Sequence, residues 1–243
     1  MSTVDAEGDL GELDKLLERR SLLEAKVAAM PEYSGRLREL RAWQAARLAR
    51  TYEDLGRDPR CADAVKFFLT DLYGSEEHER RRDRDLQRAS GVLKRTLPRA
   101  ALGLLGRALE LQLLTAELDH AVAEQLAAQA LTSASYAAAY RAVGRADARA
   151  HQIDLTLAIG TDLSRIVRHA WLALALRAAR VPAHAAGFGA LQDFIERGFA
   201  AFRKMGDSTR LLDAIRERER GLSAALFSGD DAALDAASGE RQP

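Results

Sequence analysis

The stretch Glu117-Leu118-Asp119-His120 sets a glutamate and a histidine three residues apart in a segment that reads as helix, so both side chains leave one face. Carboxylate-bridged di-iron bundles use this Glu-x-x-His spacing, with a pair from each of two helices and a glutamate from each of two more. Glu110, Glu117 and Glu124 recur every seven residues, so three carboxylates and His120 could serve one metal. A second Glu-x-x-His is missing: three residues before His78, His151, His169 and His184 stand Ser75, Ala148, Ile166 and Val181. The competing reading takes precedence. A helix otherwise covered by Leu104, Leu105, Leu109, Leu111, Leu113, Leu118 and Val122 keeps a polar strip for water or for a neighbour's arginines.

A second line of titratable groups follows. On a helical wheel Asp147, His151, Asp154, Asp162, Arg165 and His169 fall within about 80° of one another. They could form a proton relay, or, through Asp154 and His169, the other half of a metal site facing Glu117 and His120. The remaining arc holds Ile153, Leu155, Leu157, Ile159, Leu163, Ile166, Val167, Trp171 and Leu174, which makes the line the wet face of an amphipathic helix. The cluster His78 to Asp85, "HERRRDRD", could grip phosphate, but interleaved acids favour pairing along the helix. Cys61 shares a face with Val65, Phe68, Leu69 and Leu72 and reads as a buried, inert thiol. There is no glycine-rich phosphate loop and no Gly-x-Ser-x-Gly elbow. No catalytic residue and no cofactor is therefore assigned.

The elements that must position these groups are helices. Ala, Leu, Arg, Glu and Gln fill nearly every window, and period-two strand patterns are missing. Start and stop signals predict eight to nine helices in an all-α bundle. They run at about 11–29, 31–56, 59–74, 75–96, 98–129, 133–144, 146–179, 190–206 and 208–228. Asp58-Pro59 reads as a cap and first turn, Ser133 as a cap, and Pro182 with Gly187 and Gly189 as a loop. One domain is expected over residues 1–228, with 1–56 as a projecting hairpin and 229–243 as a frayed polar tail.

Composition bounds the function. Among 243 residues, 47% are hydrophobic, enough for a sizeable core. Thirty-six basic residues balance thirty-six acidic ones, so no global field steers the chain toward nucleic acid or an anionic membrane. One cysteine rules out an internal disulfide. The acidic start, "MSTVDAEGDL", is unlike a signal peptide, and no apolar run reaches membrane-spanning length. A cytoplasmic protein is the expectation.

"KFFLTDLYG", Lys66 to Gly74, concentrates aromatic mass. Val65, Phe68, Leu69 and Leu72 share an apolar face with Tyr73 at its edge, while Phe67 projects about 100° away, among Arg60, Asp63, Thr70 and Asp71. The expectation is a helix covered on both sides; an exposed Phe67 would instead mark a contact surface for a partner. The string resembles the signature of the FFLEELY motif proteins, an uncharacterised bacterial helical group. Phe67, Phe68, Leu69, Leu72 and Tyr73 match its letters, and Thr70 and Asp71 replace its two glutamates. "LELQLLTAELD", "YAAAYRAVGR" and "LQDFIERGFAAFRKM" are also similar to that group, from about residue 40 to 220. The resemblance implies no activity. The sequence thus reads as a non-enzymatic module binding a protein or small molecule, with a helical-bundle carboxylate and histidine metal-binding protein or oxidoreductase as the alternative. A homodimer through the N-terminal hairpin is a third reading.

Overall fold

The computed structural model describes residues 14–239 apart from 24, 26, 28 and 73–75. The described residues are helical with no strand. They form α1 (residues 14–23), α2 (Pro31–Thr51), α3 (Glu53–Arg57) and α4 (Ala62–Phe67), which runs into a π-helical turn at Phe68–Leu72. Then come α5 (Glu76–Thr96), α6 (Arg99–Leu126), α7 (Ser133–Val143), α8 (Ala146–Ile166), α9 (Ala170–Ala185), α10 (Gly189–Met205), α11 (Thr209–Ser228) and α12 (Ala232–Ser238). None of the described helices is long and apolar enough to cross a membrane.

Among the described residues twelve helices replace the eight to nine expected, and each extra break has a local cause. The expected helix at 31–56 divides at Tyr52, a buried residue whose backbone leaves the helical region at φ −111°, ψ 18°. The expected helix at 146–179 divides after Ile166. There the His169 N–H bonds the Ile166 carbonyl at 3.1 Å, a tight closure that ends α8, and no proline or glycine announces it. Pro182 lies inside α9, near its end, where its carbonyl still accepts the Ala186 N–H at 2.9 Å. The cap of α7 is Thr132, in a reciprocal box with Ser135. Ser133 is instead buried, 2.6 Å from Ser238 of α12.

Two regional expectations are corrected. Residues 31–56 do not project: α2 packs on α6 and α12, with Leu40 fully buried. Residues 232–238 do not fray, because Leu234 is fully buried beside Leu37, Leu126 and Tyr136. Three apolar clusters hold the body together. One gathers the α3–α4 corner with α8, α10 and α11; a second joins α2, α6, α7, α11 and α12; a third joins α1, α5, α6 and α10. Because α6 and α10 each serve more than one cluster's neighbourhood, the described helices make a single domain.

The aromatic run sits at one such junction. Phe67 is 9% exposed, its ring 5.2 Å from that of Phe194 and pressed against Gly198 of α10. A Cβ built on Gly198 would lie 2.8 Å from Phe67 Cζ, so glycine is what lets α10 come this close. Phe67 therefore offers no contact surface to a partner. Phe68 and Leu69 are half-buried, and Phe68 faces the interior from the π turn. The helix is covered on both sides. Leu72 closes the π turn, and Tyr73 lies outside the described residues. Arg82 stacks over Phe194 at 4.4 Å, and Asp85 accepts the Leu191 N–H at 3.3 Å. Part of the charge cluster thus buries against α10, where a carboxylate suits the N-terminal turn.

Candidate ligand-binding cavity

The residues proposed for a metal are dispersed. Glu110 meets His151 at 2.7 Å and Glu117 meets Arg19 at 2.6 Å, both at the surface. His120 is buried with its Nδ1 2.7 Å from the Tyr33 hydroxyl, and Glu124 is exposed. Asp154 pairs with Arg220 at 2.5 Å on an exposed face, and His169 is exposed near Trp171. Among the described residues no three histidine, cysteine, aspartate or glutamate side chains converge as a metal would need. The line along α8 is likewise surface pairing, with Asp162 held by Arg107 and by Arg165 at 3.6 Å. Cys61 is buried in the apolar core, and burial raises its thiol above the ordinary value.

A different constellation lines a partly open cavity between α2, α6, α7, α8 and α11. Its volume is about 170 Å³, slightly larger than the ~150 Å³ of an engineered apolar cavity that takes up benzene. Leu48, Phe68, Leu111, Ile153, Ile215 and Leu226 supply its apolar wall. An apolar recess of about 70 Å³ shares Tyr52, Phe68, Leu111, Thr156 and Ile215 with it.

The polar wall is a set of charged and hydroxyl groups from helices far apart in sequence. From α2, Gln44 donates to Asp119 of α6 at 3.1 Å, and Arg41 Nε lies 3.6 Å from the other Asp119 oxygen. Arg47 reaches both Glu219 oxygens, at 2.7 and 3.0 Å. The Tyr52 hydroxyl donates to Glu219 at 3.0 Å. From α8, the Gln152 amide donates to Thr115 at 2.7 Å and accepts from Arg149 at 3.1 Å. The Arg149 guanidinium stacks on Tyr140, 4.7 Å from the ring centroid, and the Tyr140 hydroxyl lies 2.9 Å from Ser223.

Burial shapes the acid–base character of this wall. Burial first, then the Glu219 carboxylate, pushes the Tyr52 phenol far above its ordinary value, and burial likewise raises Tyr140. Both phenols therefore stay neutral at any physiological pH. Near the cavity, burial, with Glu124 and Asp119 adding to it, pushes Tyr33 up to about 12. Asp119 and Glu219 each meet an arginine, whereas Arg149, 8% exposed, forms no ion pair among the described residues. Its Nη2 is sealed from water and meets no acceptor among the described residues. A buried guanidinium with only a neutral acceptor and a ring face is costly.

None of the cavity's charged residues was singled out as chemistry by spacing, yet a signal was present. Leu37, Leu40, Gln44 and Leu48 follow one another by three, four and four residues, so Gln44 interrupts a leucine stripe. Arg149, Ile153 and Leu157 do the same on α8. A polar residue on an otherwise buried stripe is the legible mark of an internal polar site.

A family model described as "Domain of unknown function (DUF8198)" matches residues 24–233, most of the chain. Comparison with curated proteins and with solved structures gives no match.

Proposed function

The chain belongs to this family of domains of unknown function, and we propose that it is a helical binding module whose ligand site is the cavity between α2, α6, α7, α8 and α11. One observation carries the reading: buried and half-buried polar groups from five helices meet around a space large enough for a small organic molecule. A core built only for stability fills such a space with apolar side chains, because each half-satisfied polar group costs free energy. Among the described residues no histidine or cysteine lines the cavity, and its two carboxylates each sit beside an arginine, which favours binding over acid–base or nucleophilic catalysis. Three of the four strings resembling the FFLEELY proteins contribute lining: Phe68; Leu111, Gln112, Thr115, Ala116 and Asp119; and Tyr136 and Tyr140. We read those strings as that group's signature, and a cytoplasmic setting as consistent with the single thiol.

The test is ligand-detected NMR with a library of small organic fragments, on the full chain and on Ala116→Phe, which fills the space. Hits that bind the natural protein and vanish in a folded Ala116→Phe are expected. A library without hits, or hits indifferent to the substitution, defeats the reading.

A further inference from the structure

We infer that the cavity takes a small organic monoanion, a monocarboxylate with an apolar body about the size of a benzene ring, and that Arg149 is its anchor. This rests on the cavity being the ligand site. Charge balance comes first. The lining holds the guanidiniums of Arg41, Arg47 and Arg149 against the carboxylates of Asp119 and Glu219. Arg47 is bound by Glu219 at 2.7 Å, and Arg41 is the guanidinium beside Asp119 at 3.6 Å. The positive charge left over is the one on Arg149. A monoanion neutralises the lining, whereas a dianionic phosphate would bury an excess negative charge beside Asp119 and Glu219.

Geometry and chemistry agree with charge. Arg149 is more than nine-tenths buried, its Nη1 uses Gln152, and its Nη2 is unpartnered. A guanidinium is a planar fork matched to a carboxylate, and this one is held flat by the Tyr140 ring and tied through Gln152 to Thr115. The guanidinium is therefore fixed in place before any ligand arrives, and because Nη2 has no exposed surface a ligand oxygen meets it only as a neighbouring side chain gives way. The rest of the wall is apolar, with Phe68, Leu111, Ile153 and Ile215, and the recess beyond them is lined by side chains such as Val65, Leu163 and Phe202. A ligand with a charged end and an apolar body fits both parts of the wall, where a free inorganic anion would fit one.

The experiment compares benzoate with its neutral isostere benzamide by titration calorimetry and two-dimensional NMR. The proteins are the natural chain, Arg149→Lys and Arg149→Met. In the natural chain benzoate is expected to bind at least tenfold more tightly than benzamide. Arg149→Met should remove that preference, and Arg149→Lys, which keeps the charge but not the fork, should weaken benzoate severalfold. The first comparison needs no variant, so a failure of Arg149→Met to fold leaves the inference testable. If benzamide matches benzoate in the natural chain, the inference is overturned while the cavity remains a ligand site. It is overturned too if benzoate binding is indifferent to both substitutions. If neither compound binds, the inference falls as well, and the fragment screen against Ala116→Phe decides separately whether the cavity reading falls with it.

Discussion

Gly198→Ala isolates the contact that locks the aromatic run under α10. Alanine gains about 1 kcal/mol over glycine in a helix interior, and Gly198 lies within α10. Its new methyl would sit 2.8 Å from Phe67 Cζ and 3.3 Å from both Cε atoms, closer than carbon atoms tolerate. The ring is hemmed in on one side, because Phe194 stands against it and Arg82 holds Phe194. Overpacking of this kind costs about 1–3 kcal/mol, so the net change is a loss of about 0–2 kcal/mol. Gly221 of α11 is the control: nothing lies within 4 Å of its added Cβ, and Gly221→Ala should gain about 1 kcal/mol. Urea denaturation followed by circular dichroism reads both as midpoint shifts. In a Phe67→Leu background the clash is relieved, and Gly198→Ala should turn stabilising. The cycle's coupling is then about 1–3 kcal/mol. Equal stabilisation at Gly198 and Gly221, with no coupling to Phe67, would refute the reasoning.

Alkaline stability should depend on Tyr52. Its folded value lies above its ordinary 10.0, so the unfolded chain releases this proton first. The stabilisation is complete below pH 10 and declines as pH rises beyond it. Tyr52→Phe should make that decline shallower by up to about 1.4 kcal/mol per pH unit; superimposable alkaline limbs would contradict this. Leu234→Ala should cost about 2–5 kcal/mol despite its place in the final helix, because the side chain is fully buried. A melting temperature unchanged from the natural chain would place α12 outside the folded body. Asp85→Ala removes the acceptor of the Leu191 N–H and should cost about 1 kcal/mol, as loss of a helix cap does. Hydrogen exchange at Leu191 should quicken, and much less so in Asp85→Asn, which keeps an acceptor oxygen.

The helical class, most helix starts and the cores of α2, α6 and α11 were written in composition and period, since burying one stripe of a helix needs only local spacing. Gly144, at φ 64°, ends α7 where its residue type predicts. Local spacing could not say which helix faces which. The wheel set Phe67 among polar residues, and the expected cover on both sides had no named source; α10, with Gly198 opposite the ring, supplies it. The Glu-x-x-His pair had the correct spacing for a metal, but α1 and α2 draw its members to Arg19 and Tyr33. The cavity shows the same division at the scale of the whole chain. Gln44 and Arg149 stand out on their own stripes as polar interruptions. Their meaning depends on Asp119, Tyr140 and Glu219, which are distant along the sequence and are brought alongside by the packing of α2, α6, α7, α8 and α11. A helix's sequence determines which face it buries, while a site between helices exists only once several such faces are set against one another, and that is a property of the tertiary structure.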